Sequence, residues 1–361
     1  MVLKELLSEN PLVLAEGAVI ERIKREFKYE LNPYIQNAAM VYDSVGRKIL
    51  EKIFIQYISV AFKFDLPMLN LAPTWRTNPK CIKLAGYQDK SVNADCVKFL
   101  KQIRSHYIYR PLKILIGGLV GCKGDAYNPK EALTSEEAFI FHKNQVEELS
   151  TSGVDFLLAS TLPALSEALG IAKAMADSKC EYILSFIIRP DGTILDGTSL
   201  YEAISIIDNS VSPKPAFYMI NCVHPTICKR AINSEPNNSR LVRTRLKGLQ
   251  ANGSSKSPEE LESLNKVDSE NPKTWSKKMI DLYQNSEIQI LGGCCGTNHR
   301  HIMSIAKNYI KKVKSHHMIF VNQQKLLKVM NKNFADSKDL KSRSSSKSLP
   351  LKKFKPKLIN K

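Results

Sequence analysis

Ile288-Gln289-Ile290-Leu291-Gly292-Gly293-Cys294-Cys295-Gly296-Thr297 carries an apolar run straight into two adjacent cysteines set among glycines. A short apolar run closed by glycine reads as a buried strand. The glycines permit the backbone compression by which neighbouring cysteines serve either one metal ion or a strained redox pair. A second run, Ala216-Phe217-Tyr218-Met219-Ile220-Asn221-Cys222, has the same form and delivers a cysteine at its C-terminal edge. Cys222, Cys294 and Cys295 are therefore candidates to converge on one zinc ion.

Outward from these two runs, further Val-, Ile- and Leu-rich stretches alternate with segments of helical period, the pattern of repeated βα units around a parallel sheet. Strands are expected at Leu12–Glu16, Met68–Thr74, Leu112–Gly118, Val154–Ser160, Tyr182–Ile188, Ala216–Cys222, Leu246–Asn252 and Ile288–Gly293. Between them, Ala38–Lys63 reads as the first barrel helix and Ser135–Ser150 as a later one. Ala164–Ala176 reads as another, with Pro163 as its first-turn proline. Eight such units close an α/β fold of the (β/α)8 TIM-barrel class. The open doubly wound sheet is disfavoured because no glycine-rich phosphate fingerprint follows the first strand. The polar stretch Gly253-Ser254-Ser255-Lys256-Ser257-Pro258 reads as an active-site loop, and Gly117-Gly118-Leu119-Val120-Gly121 as a glycine-containing turn after the third strand. Active sites in such barrels lie at the C-terminal ends of strands, where both cysteine motifs fall. Structural zinc sites more often use two local Cys-x2-Cys pairs, so three scattered thiolates leave a fourth position open, a catalytic arrangement.

The bulk composition fits this reading. The 361 residues are 43% hydrophobic and 24% charged, and no apolar run approaches the roughly 18 residues of a membrane span. The N-terminal stretch has acidic residues and no sustained apolar segment, so a cytoplasmic location is expected and no membrane partner. Eight cysteines in so long a chain do not make a disulfide scaffold. Cys81, Cys96, Cys122, Cys180 and Cys228 have no ligand spacing and read as buried apolar residues. The net charge of +18 is concentrated at one end, because residues 318–361 hold eleven Lys and one Arg against two Asp. That stretch is expected to be a disordered, Ser/Lys-rich basic tail, with 1–317 as the single catalytic domain. A solvated tail is the plain reading, and RNA or acidic lipid binding the alternative.

The motifs Asn221-Cys222 and Gly292-Gly293-Cys294-Cys295-Gly296-Thr297 resemble those of the zinc-dependent homocysteine S-methyltransferase family, of which the chain looks like a divergent member. The resemblance runs from about Leu12 to Lys314. It includes Thr161-Leu162-Pro163 with Glu167-Ala168, Ser185-Phe186, Asp191-Gly192, Asp196-Gly197 and a loop tryptophan, Trp275. It implies a barrel in which Cys222, Cys294 and Cys295 hold Zn2+, and a zinc-bound substrate thiol that is methylated, homocysteine giving methionine. The methyl donors of similar enzymes are S-methylmethionine, S-adenosylmethionine, betaine and methylfolate. No acid or base beyond the zinc site is required.

Two departures bear on substrate. The family's early Asp-Gly stands here as Glu16-Gly17, with Val19-Ile20-Glu21 in place of its following Gly-Thr, and its Glu-Thr after strand four stands as Ser160-Thr161. Glu16 is expected to bind the substrate ammonium, Ser160 and Thr161 to line the same pocket, and Asn221 to orient substrate or thiolate through its amide. Trp75 is a candidate to face a sulfonium or quaternary ammonium, with packing at the barrel rim as the plainer reading. His224, His299 and His301 are expected near the metal without ligating it. The missing carboxylate at Ser160 keeps two alternatives open: a different thiol, or a non-catalytic zinc-binding barrel associated with RNA through its tail.

Overall fold

Each of the eight expected runs forms a parallel strand, and the strands close on one another in sequence order. They are β1 Val13–Ala15, β2 Met68–Leu71, β3 Ile114–Gly121, β4 Phe156–Leu162, β5 Tyr182–Phe186, β6 Phe217–Asn221, β7 Leu246–Ala251 and β8 Ile290–Gly293. Closure is made by β1 on β8, with Val13 opposite Ile290 and Leu14 opposite Leu291. The computed structural model describes residues 2–107, 113–256, 260 and 268–313. The chain divides into a unit of residues 1–309 and a second of 310–361. The barrel is the first unit, and the expected tail from 318 lies outside the described residues.

The helices before and between the strands are α1 Val2–Glu9, α2 Ile20–Glu26, α3 Ser44–Phe64, α4 Pro79–Leu84, α5 Val92–Ser105, α6 Ser135–Thr151, α7 Leu165–Asp177, α8 Leu200–Ser210, α9 Pro225–Ile232, α10 Arg240–Arg245 and α11 Pro272–Asn285. Residues 299–309 are also helical. None of the described helices is long and apolar enough to cross a membrane. Alternate strand residues fill the barrel interior: Val13, Leu69, Leu115, Phe156, Leu158, Ile183, Met219 and Ile290 form one buried cluster with Leu3 and Leu6 of α1. This is the packed core of a small barrel, and α1 supplies two of its apolar side chains. The helix-facing residues make the second, larger core.

The structure corrects four readings. The first barrel helix is not continuous over 38–63: a 3-10 turn, Asn37–Tyr42, is followed by a fresh start at Ser44, because the Asp43 carboxylate accepts from Gly46 N. Pro163 is not in the first turn of α7. That helix starts at Leu165, where the carboxylate of Asp196 from the next loop accepts from Leu165 N at 2.7 Å and replaces a local cap. Gly117–Gly121 is not a turn but the second half of β3. There the ring of Phe156 occupies the space a side chain at 117 would need. Trp275 is not in a loop; it is fully buried in α11, donating from Nε1 to Asn252 O at 2.8 Å.

Trp275→Ala removes a fully buried indole and a hydrogen bond together, and is expected to lower stability by about 3–5 kcal/mol, read as a fall in the urea midpoint with unchanged slope.

Candidate metal centre

Cys222 stands one residue beyond β6 and Cys294 one beyond β8, so strand geometry alone brings their side chains to the same mouth of the barrel. The sulfurs of Cys222, Cys294 and Cys295 all lie within 4.8 Å of one another, with Cys222 Sγ and Cys294 Sγ 2.6 Å apart. All eight cysteines are free. Three thiols so close cannot ionise together without a cation. Hydrogen bonds from Cys294 and Cys295 hold the Cys222 thiol well below the ordinary cysteine range. The Cys294 thiol is forced well above it by Cys222 and Cys295, and Cys295 rises to about 12 chiefly through Cys222. A divalent ion resolves this conflict by favouring all three thiolates, so the donor set fits zinc with one position left for a ligand.

The surrounding backbone is built to hold this arrangement. Cys222 has φ of 57° and Thr161, at the end of β4, φ of 65°. Left-handed non-glycine residues cost on the order of 1–3 kcal/mol each and persist only where neighbours over-determine them. Asn221 does so for both. Its Oδ1 accepts from Thr161 N at 3.1 Å and Ser185 Oγ at 2.7 Å, and its Nδ2 donates to Thr161 Oγ1 and Cys222 Sγ at 3.2 Å each. Cys222 N donates to Gln250 O, and Asn252 Nδ2 donates to Cys222 O. On the other side, Cys294 N donates to Ala251 O, Gly253 N donates to Cys295 O, and Thr297 N and Oγ1 both donate to Cys294 O. Gly293 has no room for a Cβ, since Thr297 folds over it, and Gly296 turns the chain at φ of 77°. Gly296 N donates to Glu21 Oε2, tying the cysteine turn to α2.

A cavity of about 500 Å3 opens above the sulfurs. It brings together the residues expected from sequence to hold metal or substrate: Glu16, Trp75, Ser160, Thr161, Asn221, Cys222, Cys294 and Cys295 line it. Glu16 is buried, and its Oε2 accepts from Asn70 Nδ2 at 3.0 Å and Leu71 N at 3.1 Å. Burial outweighs those bonds and pushes its carboxyl up to about 8. Ser160 Oγ lies 3.0 Å from Thr161 Oγ1, so this wall is neutral. Trp75 Nε1 is buried without a hydrogen-bond partner, and the Arg76 guanidinium sits 4.4 Å from its ring centroid.

Sequence reasoning missed Tyr127, which lies in the polar loop after β3 with no motif to mark it and lines the cavity together with Cys222. It also left Lys24 and Arg25 of α2 unremarked, though both line the cavity; helical period alone places them on an ordinary solvated face. The histidines stay outside the sulfur cluster among the described residues. His224 caps α9 by accepting from Thr226 N, and His301 contacts Ser269 and Glu270. Ser257 and Pro258 of the expected active-site loop lie outside the described residues.

A crowded thiol cluster at the C-terminal mouth of a (β/α)8 barrel defines a barrel protein whose three cysteines could hold a metal ion. The chain belongs to the homocysteine S-methyltransferase family, whose model matches residues 13–309. It is 24% identical over 242 residues to a selenocysteine Se-methyltransferase of Brassica oleracea var. italica, spanning 64% of this chain and 65% of that one. It is 20% identical over 325 residues to the homocysteine S-methyltransferase YbgG of Bacillus subtilis, spanning 84% of this chain and 96% of the relative. Among solved structures, the homocysteine methyltransferase MmuM from Escherichia coli shares the fold. Its metallated form gives a TM-score of 0.68 at 18% identity over 85% of this chain and all of the other. The apo form gives 0.60, with 84% and 98% coverage.

Gly293→Ala forces Thr297 out of place and is expected to abolish metal retention while the barrel stays folded, checked by metal analysis beside circular dichroism. Glu16 gives a second expectation. Its proton is held more tightly in the folded chain than at the ordinary value of 4.5. Ligand-free stability contributed by this group therefore falls as pH rises from about 4.5 to about 8, and Glu16→Gln should flatten that slope in urea midpoints taken across the window.

Proposed function

We propose that this chain is a zinc-dependent thiol S-methyltransferase of the cytoplasm, with homocysteine as acceptor and methionine as product. The observation that carries the proposal is the convergence of three free cysteine sulfurs at the mouth of a barrel of this family. Cys222, Cys294 and Cys295 would hold the ion, which when bound supplies a Lewis acid that keeps the substrate thiol ionised at neutral pH. The residues of the chain do the rest. Asn221 fixes the Cys222 sulfur, Tyr127 lines the cavity beside it, and the apolar wall formed by Leu71, Leu119 and Ala126 limits access of water.

Glu16 is the reading's acceptor for the substrate ammonium. A buried carboxyl held up to about 8 is a group short of a cation, and an ammonium beside it restores the ionised form. Methyl transfer then needs only alignment: the S–C bond to the acceptor forms as the bond from methyl to the donor's cationic sulfur or nitrogen breaks, its electron pair leaving with the donor. S-methylmethionine, S-adenosylmethionine, betaine and methylfolate are the donors to assay.

Replacing Cys222, Cys294 or Cys295 singly by Ala is expected to remove bound zinc and reduce methionine formation to background. Full turnover in any one of the three variants would sink the proposal. Glu16→Gln is expected to retain zinc and to raise the homocysteine KM about tenfold or more, measured under donor saturation.

A further inference from the structure

The charge on the cavity wall is unevenly placed. Near the sulfurs the lining is neutral: Ser160 and Thr161 hydrogen-bond to each other, and the Asn221 amide is fully occupied by Thr161, Ser185 and Cys222. Glu16 is a buried carboxyl. The cations lining the cavity, among the described residues, are Lys24 and Arg25, both exposed and both on α2. Neither is placed at random. Glu21 Oε1 lies 3.2 Å from Arg25 Nε one turn away on the helix, and the same carboxylate accepts from Gly296 N in the turn that carries Cys294 and Cys295. The Arg25 guanidinium is thereby tied through one side chain to the thiol cluster. Lys24 has no hydrogen bond or ion pair among the described residues, so its ammonium is available.

We propose that Arg25, with Lys24, is the receptor for a substrate carboxylate, which makes the cavity selective for α-amino-acid substrates over simple thiols or simple methyl cations. The inference rests on the methyltransferase reading. A substrate with its sulfur at the cluster and its ammonium at Glu16 presents its carboxylate to the remaining charged part of the wall, and that part is α2. Arg25 keeps free N–H donors beyond the Nε facing Glu21, enough for a charge-assisted bond to a carboxylate oxygen. The carboxylate belongs either to the acceptor thiol or to an amino-acid donor such as S-methylmethionine, and the two sources separate experimentally.

The test uses the zinc-loaded full chain, Arg25→Gln and Lys24→Gln, with four substrates: homocysteine and 3-mercaptopropylamine, which differ by the carboxylate, and S-methylmethionine and its decarboxylated sulfonium. The expected result for Arg25→Gln is a KM raised about tenfold for one carboxylate-bearing substrate, with kcat, zinc content and the KM of its decarboxylated partner unchanged. A smaller rise in the same KM is expected for Lys24→Gln. A rise for homocysteine assigns the acceptor's carboxylate, and a rise for S-methylmethionine the donor's. Equal changes for a substrate and its decarboxylated partner, or no change in any KM, would overturn the inference and leave the methyltransferase reading standing. Absence of methyl transfer by the unaltered chain with every pair would overturn both.

Discussion

Crowding of three acidic sulfurs into one small space is the constraint on which the rest of the barrel mouth depends. Without a cation the three thiols compete for protons, so that Cys222 is held ionised at the expense of its two neighbours. Nothing in an ordinary barrel rim would keep them together. Here two left-handed non-glycine residues, a turn of positive φ and a glycine with no space for a side chain are all maintained at this end. The energy stored locally is small against the stability of a barrel of this size, and its position at a cluster of ligand atoms marks it as functional.

The arrangement is held by few groups, each with more than one role. Asn221 uses its whole amide to connect β4, β5 and the Cys222 sulfur. Glu21 connects α2 to the cysteine turn, and Gly253 connects the loop after β7 to the Cys295 carbonyl. These links run between elements separated by tens to hundreds of residues, and they meet because the strands are parallel and the barrel closes through β1 and β8. Three of the cysteines outside the cluster contrast with it. Burial pushes Cys122 and Cys228 up to about 12 and Cys180 to about 11, which keeps them as neutral, unreactive thiols.

Polarity in the cavity separates chemistry from recognition. The floor carries sulfur and neutral hydrogen-bonding groups, whereas formal charge is confined to Glu16 and to α2. The Ser160 hydroxyl turns to Thr161 and not to a charged partner. The charged side chains of the cavity wall therefore belong to the first βα unit.

The periodicity of the apolar runs was enough to determine eight parallel strands and a closed barrel, since a strand buried on both faces leaves a continuous hydrophobic signature of fixed length. The convergence of the three cysteines was legible because each ends or follows an apolar run that reads as a strand, and parallel strands bring such ends to one mouth. What sequence left undetermined were features without a local signal. Asp196 caps α7 from another loop, and Trp275 is buried in a helix although its neighbours are polar. Tyr127 reaches the cavity from a segment with no motif, and Lys24 and Arg25 look like any solvated helix face until closure of the barrel turns that face toward the cavity. Local patterns decide which elements form and which atoms can ligate. Only the long-range packing of those elements decides which charges share the space around the ligands.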